Sequence, residues 1–323
     1  MTTTLQAAIS ELTAVLGDEQ VLSDPLELAL YSRDGSMFEG GCTLVALPRS
    51  TEDVIACMRV ARDHGMSVVP RGSGTGLAGA AIPFGDALVV ATTKMNRILE
   101  IRPEDRLAWV EPGVINLDLG DELAPLGWGY APDPSSQQVS SIGGNVNTNA
   151  GGPHCLAYGV TSAHILAVEV VLPDGRVEIF GSEGPEAPGY DLRGIVVGSE
   201  GTLGVITRVC VRILPLAPEV RTMLLDFASV EDCASTVSDI IAAGVIPAAV
   251  EMMDQLVTRA VENYVHAGYP VDAAAILLVE VDGLPESVAA QTTAVEQAAS
   301  DNNVGGIRIA ATEEERALLW KGR

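Results

Sequence analysis

The sequence predicts an α+β fold in two parts, on the strength of three observations. A strand–helix–strand pattern opens the chain at residues 43–69, and short strands separated by glycine-rich loops follow it. The segment Leu214-Pro-Leu-Ala-Pro218 then interrupts both helix and sheet with two prolines. Beyond it, strands and helices alternate to the last residue. The predicted parts are an N-terminal helical segment at residues 1–38, a domain at 39–217 and a second domain at 218–323.

Local patterns predict the individual elements in order. Helices are predicted where apolar residues recur at helical spacing between a capping residue such as Ser50 and a stop such as Gly65. The predicted helices lie at residues 5–16, 25–31, 50–64, 229–243, 252–266 and 286–299, with another beginning at 313. Strands are predicted where aliphatic residues run or alternate between turn residues. The predicted strands lie at residues 43–47, 67–69, 87–92, 108–110, 165–172, 177–180, 204–214, 222–227, near 248, 276–281 and 306–310.

Composition and charge exclude several classes of protein. Apolar residues make up 47% of the chain, which predicts a packed core rather than a disordered chain. The net charge of −24 argues against a nucleic-acid-binding protein, because neutralising phosphates requires clustered Lys and Arg. It argues equally against a basic membrane-binding patch.

Cysteine usage indicates the compartment. The chain has 5 cysteines, an odd number without Cys-x-x-Cys spacing, which predicts neither a disulfide framework nor a zinc site and fits a reducing compartment. The N-terminus lacks the pattern of a signal peptide, and the longest nearly apolar run, residues 240–250, is too short to span a bilayer. We therefore expect a cytoplasmic protein without a metal site.

The first glycine-rich stretch, Pro70-Arg-Gly-Ser-Gly-Thr-Gly-Leu-Ala-Gly79, contains a formal Gly-x-Gly-x-x-Gly pattern. The dinucleotide fingerprint requires a helix to open at such a loop, so that the pyrophosphate meets the helix N-terminus. Pro83 and Gly85 follow instead, which disfavours a Rossmann NAD site. Backbone N–H groups of a glycine-rich loop can still converge on a phosphate. The alternative for this loop alone is an ordinary surface turn.

Two further clusters favour a cofactor. The second cluster combines Pro132-Asp-Pro-Ser-Ser136 with Ser140-Ser-Ile-Gly-Gly-Asn-Val-Asn-Thr-Asn-Ala-Gly-Gly152. The third cluster is Gly198-Ser-Glu-Gly-Thr-Leu-Gly204, just before a long predicted strand. Small hydroxyl, amide and glycine residues offer many hydrogen-bonding groups and little bulk. Three such clusters in one domain predict a large polar cofactor that lies against the backbone.

These motifs resemble those of a known family, the FAD-linked oxidases of the vanillyl-alcohol oxidase and p-cresol methylhydroxylase type. The similar segments are PRGSGTGL (70–77), PDPSS (132–136), IGGNVNTNAGGP (142–153) and GYDLRGIVVGSEGTLGVIT (189–207). The branch that the chain resembles most contains D-lactate dehydrogenase, D-2-hydroxyglutarate dehydrogenase and the flavin-binding glycolate oxidase subunit. The resemblance implies a two-subdomain FAD-binding fold of the p-cresol methylhydroxylase type. It also implies that a ferredoxin-like α+β substrate domain follows, which looks incomplete.

The resemblance further implies which residues bind FAD. The first loop would hold the pyrophosphate, the second cluster the pyrophosphate and flavin end, and the third cluster the ribityl or adenine side. The implied FAD-binding residues are Pro70, Arg71, Gly72, Ser73, Gly74, Thr75, Gly76, Leu77, Gly79, Asp133, Pro134, Ser135, Ser136, Ser140, Gly143, Gly144, Asn147, Asn149, Gly151, Gly152, Glu200, Gly201, Val205 and Ile206. Thr75 stands where some relatives carry a histidine that attaches FAD covalently, so non-covalent FAD is expected.

The substrate implied by the resemblance is a small 2-hydroxy acid, such as glycolate or D-lactate, oxidised to the 2-oxo acid by hydride transfer to the flavin. Leu319-Trp-Lys-Gly-Arg323 resembles a family motif whose arginine binds the substrate carboxylate, so Arg323 is the expected anchor. The relatives' catalytic residues follow this motif, so catalytic residues stay unassigned here. His154 and Cys155 adjoin the second cluster, but we do not expect a catalytic pair, because sequence neighbours do not face one another on a strand.

Two functional hypotheses stay open. The chain is a fragment of a hydroxy-acid oxidoreductase, or it is a non-catalytic FAD-carrying or electron-transfer subunit that needs a partner chain. The first is favoured because residues 221–323 resemble the start of a substrate domain. The expected partners are the substrate, an unassigned electron acceptor, and either the other subunits of a glycolate-oxidase-like complex or a second copy of the chain. The expected location is the cytoplasm, either free or peripheral at the inner face of the membrane.

Overall fold

The structure, a computed structural model, describes residues 3–184 and 189–322. The chain forms two compact units. The first unit comprises Met1–Ala150 and Val160–Pro215, and the second comprises Gly151–Gly159 and Leu216–Arg323. The short segment 151–159, which begins inside the second glycine-rich cluster, therefore belongs to the second unit.

Helices and strands alternate along the described residues. The helices are α1 Thr3–Leu16, α2 Pro25–Ala29, α3 Thr51–Asp63, α4 Asn116–Leu123, α5 Ile142–Thr148, α6 Cys155–Tyr158, α7 Arg193–Val196, α8 Val230–Ala242, α9 Gln255–Val265, α10 Pro285–Asp301 and α11 Glu313–Trp320. The strands are β1 Val21–Leu22, β2 Leu44–Ala46, β3 Ser67–Arg71, β4 Ala87–Ala91, β5 Ile98–Arg102, β6 Leu107–Val110, β7 Trp128–Gly129, β8 Ile165–Val171, β9 Val177–Gly181, β10 Val205–Arg212, β11 Leu214–Pro215, β12 Glu219–Phe227, β13 Ala249–Asp254, β14 Ala275–Gly283 and β15 Val304–Ile309.

The predicted strand–helix–strand start is confirmed. Its sheet has the order β1-β2-β4-β3, with β2 and β3 both parallel to β4. Helix α3 connects β2 to β3, and Oγ of its N-cap Ser50 accepts a hydrogen bond from the N–H of Asp53 at 3.2 Å. Val54, Cys57 and Ala61 form its buried stripe. The helix therefore covers the sheet and delivers the chain to β3, whose end carries the first glycine-rich loop.

The second sheet of the first unit is antiparallel, with the order β5-β6-β10-β8-β9. The predicted hairpin is confirmed as β8 and β9, joined by the turn at residues 173–175. Strand β5 and helix α4 lay outside the sequence predictions. The strand is short and carries Glu100 and Arg102, while the helix contains Gly120 and has no side-chain cap. The local helix propensity of α4 is therefore weak, and the burial of Leu119 and Leu123 stabilises the helix.

The second unit is built on an antiparallel sheet of order β13-β14-β12-β15. Along the chain, helix α8 follows β12, the first of these strands, and helix α10 follows β14, the third. This order, with a helix after the first and third strands, is that of a ferredoxin-like β-α-β-β-α-β fold, as predicted, and α9 is an additional helix between β13 and β14. Side chains of α8 and α10 share one apolar core with the sheet, around Met223, Leu277 and Val295. A second core lies around Leu278, Tyr269 and Leu319.

One predicted boundary in this unit was wrong. The helix expected from Met252 begins at Gln255, because residues 249–254 pair with β14 as β13. The side chain of Asp254 caps the helix by accepting a hydrogen bond from the N–H of Val257 at 2.8 Å. Among residues 3–184 and 189–322, no helix is both long and apolar enough to cross a membrane.

Candidate cofactor and substrate sites

The first glycine-rich loop leaves the end of β3 and stays irregular. Residues 72–86 form turns, bends and irregular backbone, so the Rossmann arrangement, which requires a helix at this point, is absent there. Gly74 and Gly79 adopt the left-handed conformation that glycine favours, with φ of 73° and 84°. A Cβ on Gly74 would lie 2.2 Å from Nη2 of Arg71. The loop therefore curls closely over the Arg71 side chain.

Arg71 supports this loop from a buried position. Its guanidinium lies 5.5 Å from the centroid of the Tyr31 ring and donates to the carbonyl of Ala81 at 3.3 Å. Burial lowers the pKa of Arg71, and the charge of Asp34 acts in the opposite direction. Because arginine keeps its proton at any physiological pH, the loop carries a fixed positive charge that suits an anionic cofactor.

The segment around Gly35, in the N-terminal part of the chain, packs against the first glycine-rich loop. This contact was not predicted from the sequence. A Cβ on Gly35 would lie 2.7 Å from the carbonyl oxygen of Thr75 and 3.0 Å from that of Gly76, so the two backbones are in contact. Oδ1 of Asp34 accepts a hydrogen bond from the N–H of Ser36 at 2.8 Å. The available signal was the Asp34-Gly35 dipeptide, which is typical of a turn but does not indicate what the turn contacts.

The second cluster contains helix α5, which was not predicted because two glycines weaken its helical signal. Oγ of Ser141 caps the helix by accepting a hydrogen bond from the N–H of Gly144 at 3.3 Å. A Cβ on Gly72 would lie 2.3 Å from this oxygen, so the first loop contacts the cap directly. A Cβ on Gly143 would lie 2.4 Å from Cβ of Pro112. Glycine at both positions permits an approach that any side chain would block.

The third cluster joins the other two. The N–H of Glu200 donates to the carbonyl of Asn147 at 2.8 Å, which connects it to the second cluster. A Cβ on Gly201 would lie 3.0–3.2 Å from ring carbons of Pro70, which connects it to the first. Glu200 and Gly201 both have positive φ, 54° and 77°. The parts of the three clusters that lie in the first unit, far apart in sequence, thus form one continuous region.

Not every predicted FAD-binding residue takes part in these contacts. Val205 and Ile206 are buried in β10. Leu77 is 78% exposed, and Gly151 and Gly152 belong to the second unit. The contacts that join the clusters do not involve these residues.

Several buried polar atoms in and beside the second cluster lack a hydrogen-bond partner within the described part of the chain. They are Oη of Tyr130, Oγ of Ser140, Nδ2 of Asn145 and Oδ1 of Asn147. A buried polar atom left unsatisfied costs about 1–3 kcal/mol, and native proteins contain few of them. Phosphate oxygens, hydroxyl groups and ring nitrogens of a bound cofactor would satisfy such a set. The residues of this region therefore fit FAD.

The second unit contains a buried carboxylate in the middle of its sheet. Glu280 of β14 has a side chain that is 7% exposed. It accepts hydrogen bonds from the hydroxyl of Thr222, from the indole N–H of Trp320 at 2.7 Å, and from Nε2 of His154 at 3.2 Å. Burial alone would raise the pKa of Glu280, but these hydrogen bonds outweigh it and hold the pKa below its ordinary value. Glu280 is thus an ionised group inside the protein.

A second polar pair lies beside the first. The hydroxyl of Tyr158 donates to Oδ2 of Asp282, two residues after Glu280 on the same strand. Burial, followed by this hydrogen bond, raises the pKa of Tyr158. Cys155 is directed elsewhere, because its Sγ accepts a hydrogen bond from the N–H of Gly152 at 2.9 Å.

The remaining predictions concern the substrate and metals. Arg323, the expected carboxylate anchor, lies outside the described residues. Within residues 3–184 and 189–322, no group of three or more His, Cys, Asp or Glu side chains is placed to hold a metal ion. All five cysteines are free.

Comparison with known proteins agrees with this architecture. Residues 42–181 match the FAD binding domain family, and residues 216–323 match the C-terminal domain of FAD linked oxidases. Glycolate oxidase subunit GlcD of Escherichia coli K12 is 44% identical over 305 residues, which cover 94% of this chain and 61% of the relative. GlcD of Bacillus subtilis is 38% identical, covering 97% and 67% of the two chains. D-lactate dehydrogenase of Anaerostipes hadrus is 34% identical, covering 73% and 51%.

Solved structures support the fold. p-Cresol methylhydroxylase with bound substrate has a TM-score of 0.80 at 18% identity, covering 98% of this chain and 69% of that one. 4-Ethylphenol oxidase of Gulosibacter chungangensis has a TM-score of 0.83 at 21% identity, covering 99% and 68%. The chain spans 61% of the length of the E. coli GlcD that it matches. On the matches to both domain families and the identity to GlcD, this chain belongs to the FAD-linked oxidases.

Proposed function

We propose that this chain holds FAD non-covalently in the region formed by its three glycine-rich clusters and oxidises a small 2-hydroxy acid to the 2-oxo acid. The observation that carries the cofactor assignment is the group of buried, unsatisfied polar atoms at Tyr130, Ser140, Asn145 and Asn147. The bound flavin would accept the hydride that leaves C2 of the substrate.

The roles of individual residues follow from their positions. Gly72, Gly143 and Gly201 bring the three clusters into contact, so the cofactor can lie against backbone rather than side chains. Arg71 contributes a fixed positive charge beneath the first loop, which favours the pyrophosphate. Thr75 offers no nucleophilic nitrogen, which supports non-covalent attachment. Arg323 is the proposed ligand of the substrate carboxylate.

Similarity supports the substrate class. The relatives that align over most of this chain are named glycolate oxidase subunit and D-lactate dehydrogenase, whose substrates are both 2-hydroxy acids. The word "subunit" in the first name also supports a partner chain. The free cysteines support a reducing, cytoplasmic location.

A spectroscopic experiment tests the proposal in two stages. The purified chain, supplied with FAD and desalted, should keep a flavin absorption band, and acid precipitation should release the flavin to the supernatant. Glycolate, D-lactate and D-2-hydroxyglutarate are then added in turn without oxygen. Bleaching by one of them supports the oxidation. A colourless protein would refute FAD binding, whereas bound flavin that none of them bleaches would favour a non-catalytic FAD-carrying subunit.

Glycine substitutions sharpen the first stage. Gly72→Ala places a methyl group 2.3 Å from Oγ of Ser141 and should abolish FAD retention. Gly41→Ala is the matched control, since a Cβ on Gly41 meets nothing within 4 Å. Equal FAD retention by the two variants would contradict the assignment of this region.

A further inference from the structure

A turn in the N-terminal part of the chain, residues 32–40, contacts the carbonyl side of the first glycine-rich loop. We call it the supporting turn. Its two ends are joined because the N–H of Gly40 donates to the carbonyl of Ser32 at 2.9 Å. At its tip, Oδ1 of Asp34 accepts a hydrogen bond from the N–H of Ser36 at 2.8 Å. The supporting turn therefore holds its own shape through bonds that do not involve the loop.

The contact between the turn and the loop fixes the direction of two loop peptides. A Cβ on Gly35 would lie 2.7 Å from the carbonyl oxygen of Thr75 and 3.1 Å from its carbonyl carbon, so this C=O group points at the turn. The carbonyl oxygen of Gly76 would lie 3.0 Å from the same Cβ. In a trans peptide the C=O and N–H groups point in opposite directions. The N–H groups of Gly76 and Leu77 therefore point away from the turn.

These two N–H groups are available to a ligand. Neither makes a hydrogen bond with any residue at 3–184 or 189–322. Successive N–H groups directed to one side are the backbone arrangement that binds anionic oxygen atoms. The proposed function places the pyrophosphate of FAD at this loop, so the direction of these donors decides whether the loop can bind it. Gly35 sets that direction.

The supporting turn also compensates the charge of Arg71 without occupying its donors. Arg71 is 9% exposed, and its five N–H groups make one hydrogen bond within the described part of the chain, to the carbonyl of Ala81. Burial lowers the pKa of Arg71, and the charge of Asp34 raises it. Oδ2 of Asp34 is buried and lacks a hydrogen-bond partner among the described residues. The carboxylate thus acts on the guanidinium through its charge, and the other N–H groups of Arg71 stay available to an anion.

We propose that the supporting turn is part of the FAD site, with Gly35 as the positioning residue of the first loop and Asp34 as the charge that balances Arg71 beneath it. This inference rests on the proposed function. The turn precedes residues 42–181, which match the FAD binding domain family, so the site extends beyond the matched domain. Gly35 acts through the N–H groups of the loop, and Asp34 acts through the guanidinium of Arg71.

Gly35→Ala tests the positioning. The new methyl group must displace the carbonyl oxygens of Thr75 and Gly76, which turns both N–H groups away from their present direction. The dissociation constant for FAD, measured by quenching of flavin fluorescence, should rise by about tenfold or more. Gly41→Ala is the matched control and should bind FAD like the wild type, since a Cβ there meets nothing within 4 Å. Neither glycine has a positive φ, so the contact alone distinguishes the two variants.

A second measurement separates positioning from general damage. ADP carries a diphosphate and AMP a single phosphate, and calorimetry on the FAD-free protein gives both affinities. The wild type should bind ADP more tightly than AMP, and Gly35→Ala should reduce this preference because its loop no longer directs both N–H groups to one side. A general loss of structure would weaken both ligands by the same factor. A wild type without the preference, or a Gly35→Ala variant that keeps all of it, would overturn the proposal.

Asp34→Asn tests the charge and should act in the opposite direction. Asparagine still offers an oxygen to the N–H of Ser36 but removes the negative charge beside Arg71. FAD, an anion, should then bind more tightly than in the wild type, and the gain should shrink at high salt. Glu39→Gln is the matched control, because it removes the same charge from an exposed side chain of the same turn, paired with Arg33. Weaker FAD binding by Asp34→Asn, or an equal gain in Glu39→Gln, would contradict the role of Asp34.

The outcomes distinguish this inference from the function on which it rests. A wild type that binds no FAD refutes the proposed function and the inference with it. A wild type that binds FAD while Gly35→Ala and Gly41→Ala both bind it equally well refutes the inference alone. Bound flavin that no hydroxy acid bleaches refutes the oxidation and leaves the role of the turn standing. If circular dichroism shows that Gly35→Ala does not fold, the comparison of Asp34→Asn with Glu39→Gln decides.

Discussion

Replacing Gly201 with alanine tests whether the third cluster is held to the first through Pro70. Gly201 has a φ of 77°, a conformation that costs an L-residue about 1–2 kcal/mol. The new Cβ would also lie 3.0–3.2 Å from three ring carbons of Pro70, which is part of β3 and cannot rotate away. Overpacking of this kind costs a further 1–3 kcal/mol, roughly, in unfolding free energy. The Glu200–Gly201 backbone should therefore shift away from the first loop.

Gly127→Ala is the matched control. Gly127 lies in the same unit with a φ of 80°, and a Cβ there meets nothing within 4 Å, so this variant carries the backbone cost alone. Urea unfolding gives the two stability losses, and quenching of flavin fluorescence gives the FAD dissociation constants. We expect Gly127→Ala to bind FAD like the wild type and Gly201→Ala to bind at least about tenfold more weakly, a change of about 1.4 kcal/mol. Equal stability and equal affinity in the two variants would show that the Pro70 contact does not organise the site.

Three further predictions concern other parts of the chain. Ser140→Ala removes a buried hydroxyl that lacks a partner within the described residues. The FAD-free variant should therefore be as stable as the wild type or about 1 kcal/mol more stable, while its affinity for FAD falls. Lower stability with unchanged FAD affinity would contradict this prediction. The folded-state pKa of Glu280 lies below its ordinary value of 4.5, so its contribution to stability is present above that pH and is lost as the pH falls through the folded pKa. At neutral pH the unfolding free energy of Glu280→Gln should be lower than that of the wild type, and it should decline less steeply on acidification. Parallel curves of unfolding free energy against pH for the two proteins would refute the lowered pKa of Glu280. Burial raises the thiol pKa values of Cys57, Cys210 and Cys233, so a disulfide reagent at about pH 8 should label none of these three cysteines before unfolding. The pKa is about 12 for Cys57, about 12 for Cys210 and about 11 for Cys233.

The strands and helices with strong local patterns could be predicted from the sequence. Ile165–Val171 is apolar at nearly every position and is buried throughout, and the helix behind Ser50 has both a cap and an apolar stripe. Elements that depend on tertiary packing could not be predicted in this way. Helix α4 has no side-chain cap and contains Gly120, so burial of Leu119 is what stabilises it.

The candidate site shows the same division. The composition of the three clusters indicated a polar cofactor, because glycine, hydroxyl and amide residues are dense in them. Their mutual contacts could not be predicted, since the hydrogen bond between Glu200 and Asn147 joins residues more than fifty positions apart. The packing of Gly35 on Thr75 was equally hidden, because a turn signal does not indicate the partner of the turn.

The polar cluster of the second unit was marked in the sequence by a departure from pattern. Strand β14 is apolar from Ala275 to Val279, yet Glu280 stands in its interior next to Val281. A carboxylate at such a position in a central strand must find donors, because burial without them would be too costly to tolerate. Sequence reasoning considered His154 only beside Cys155, its neighbour in the chain, whereas Glu280, to which it is hydrogen-bonded, is 126 residues away. The charged residue inside the apolar strand, rather than the adjacency of two reactive side chains, was therefore the informative signal. It indicates that hydrogen-bond donors must exist, and the fold identifies them as Thr222, Trp320 and His154.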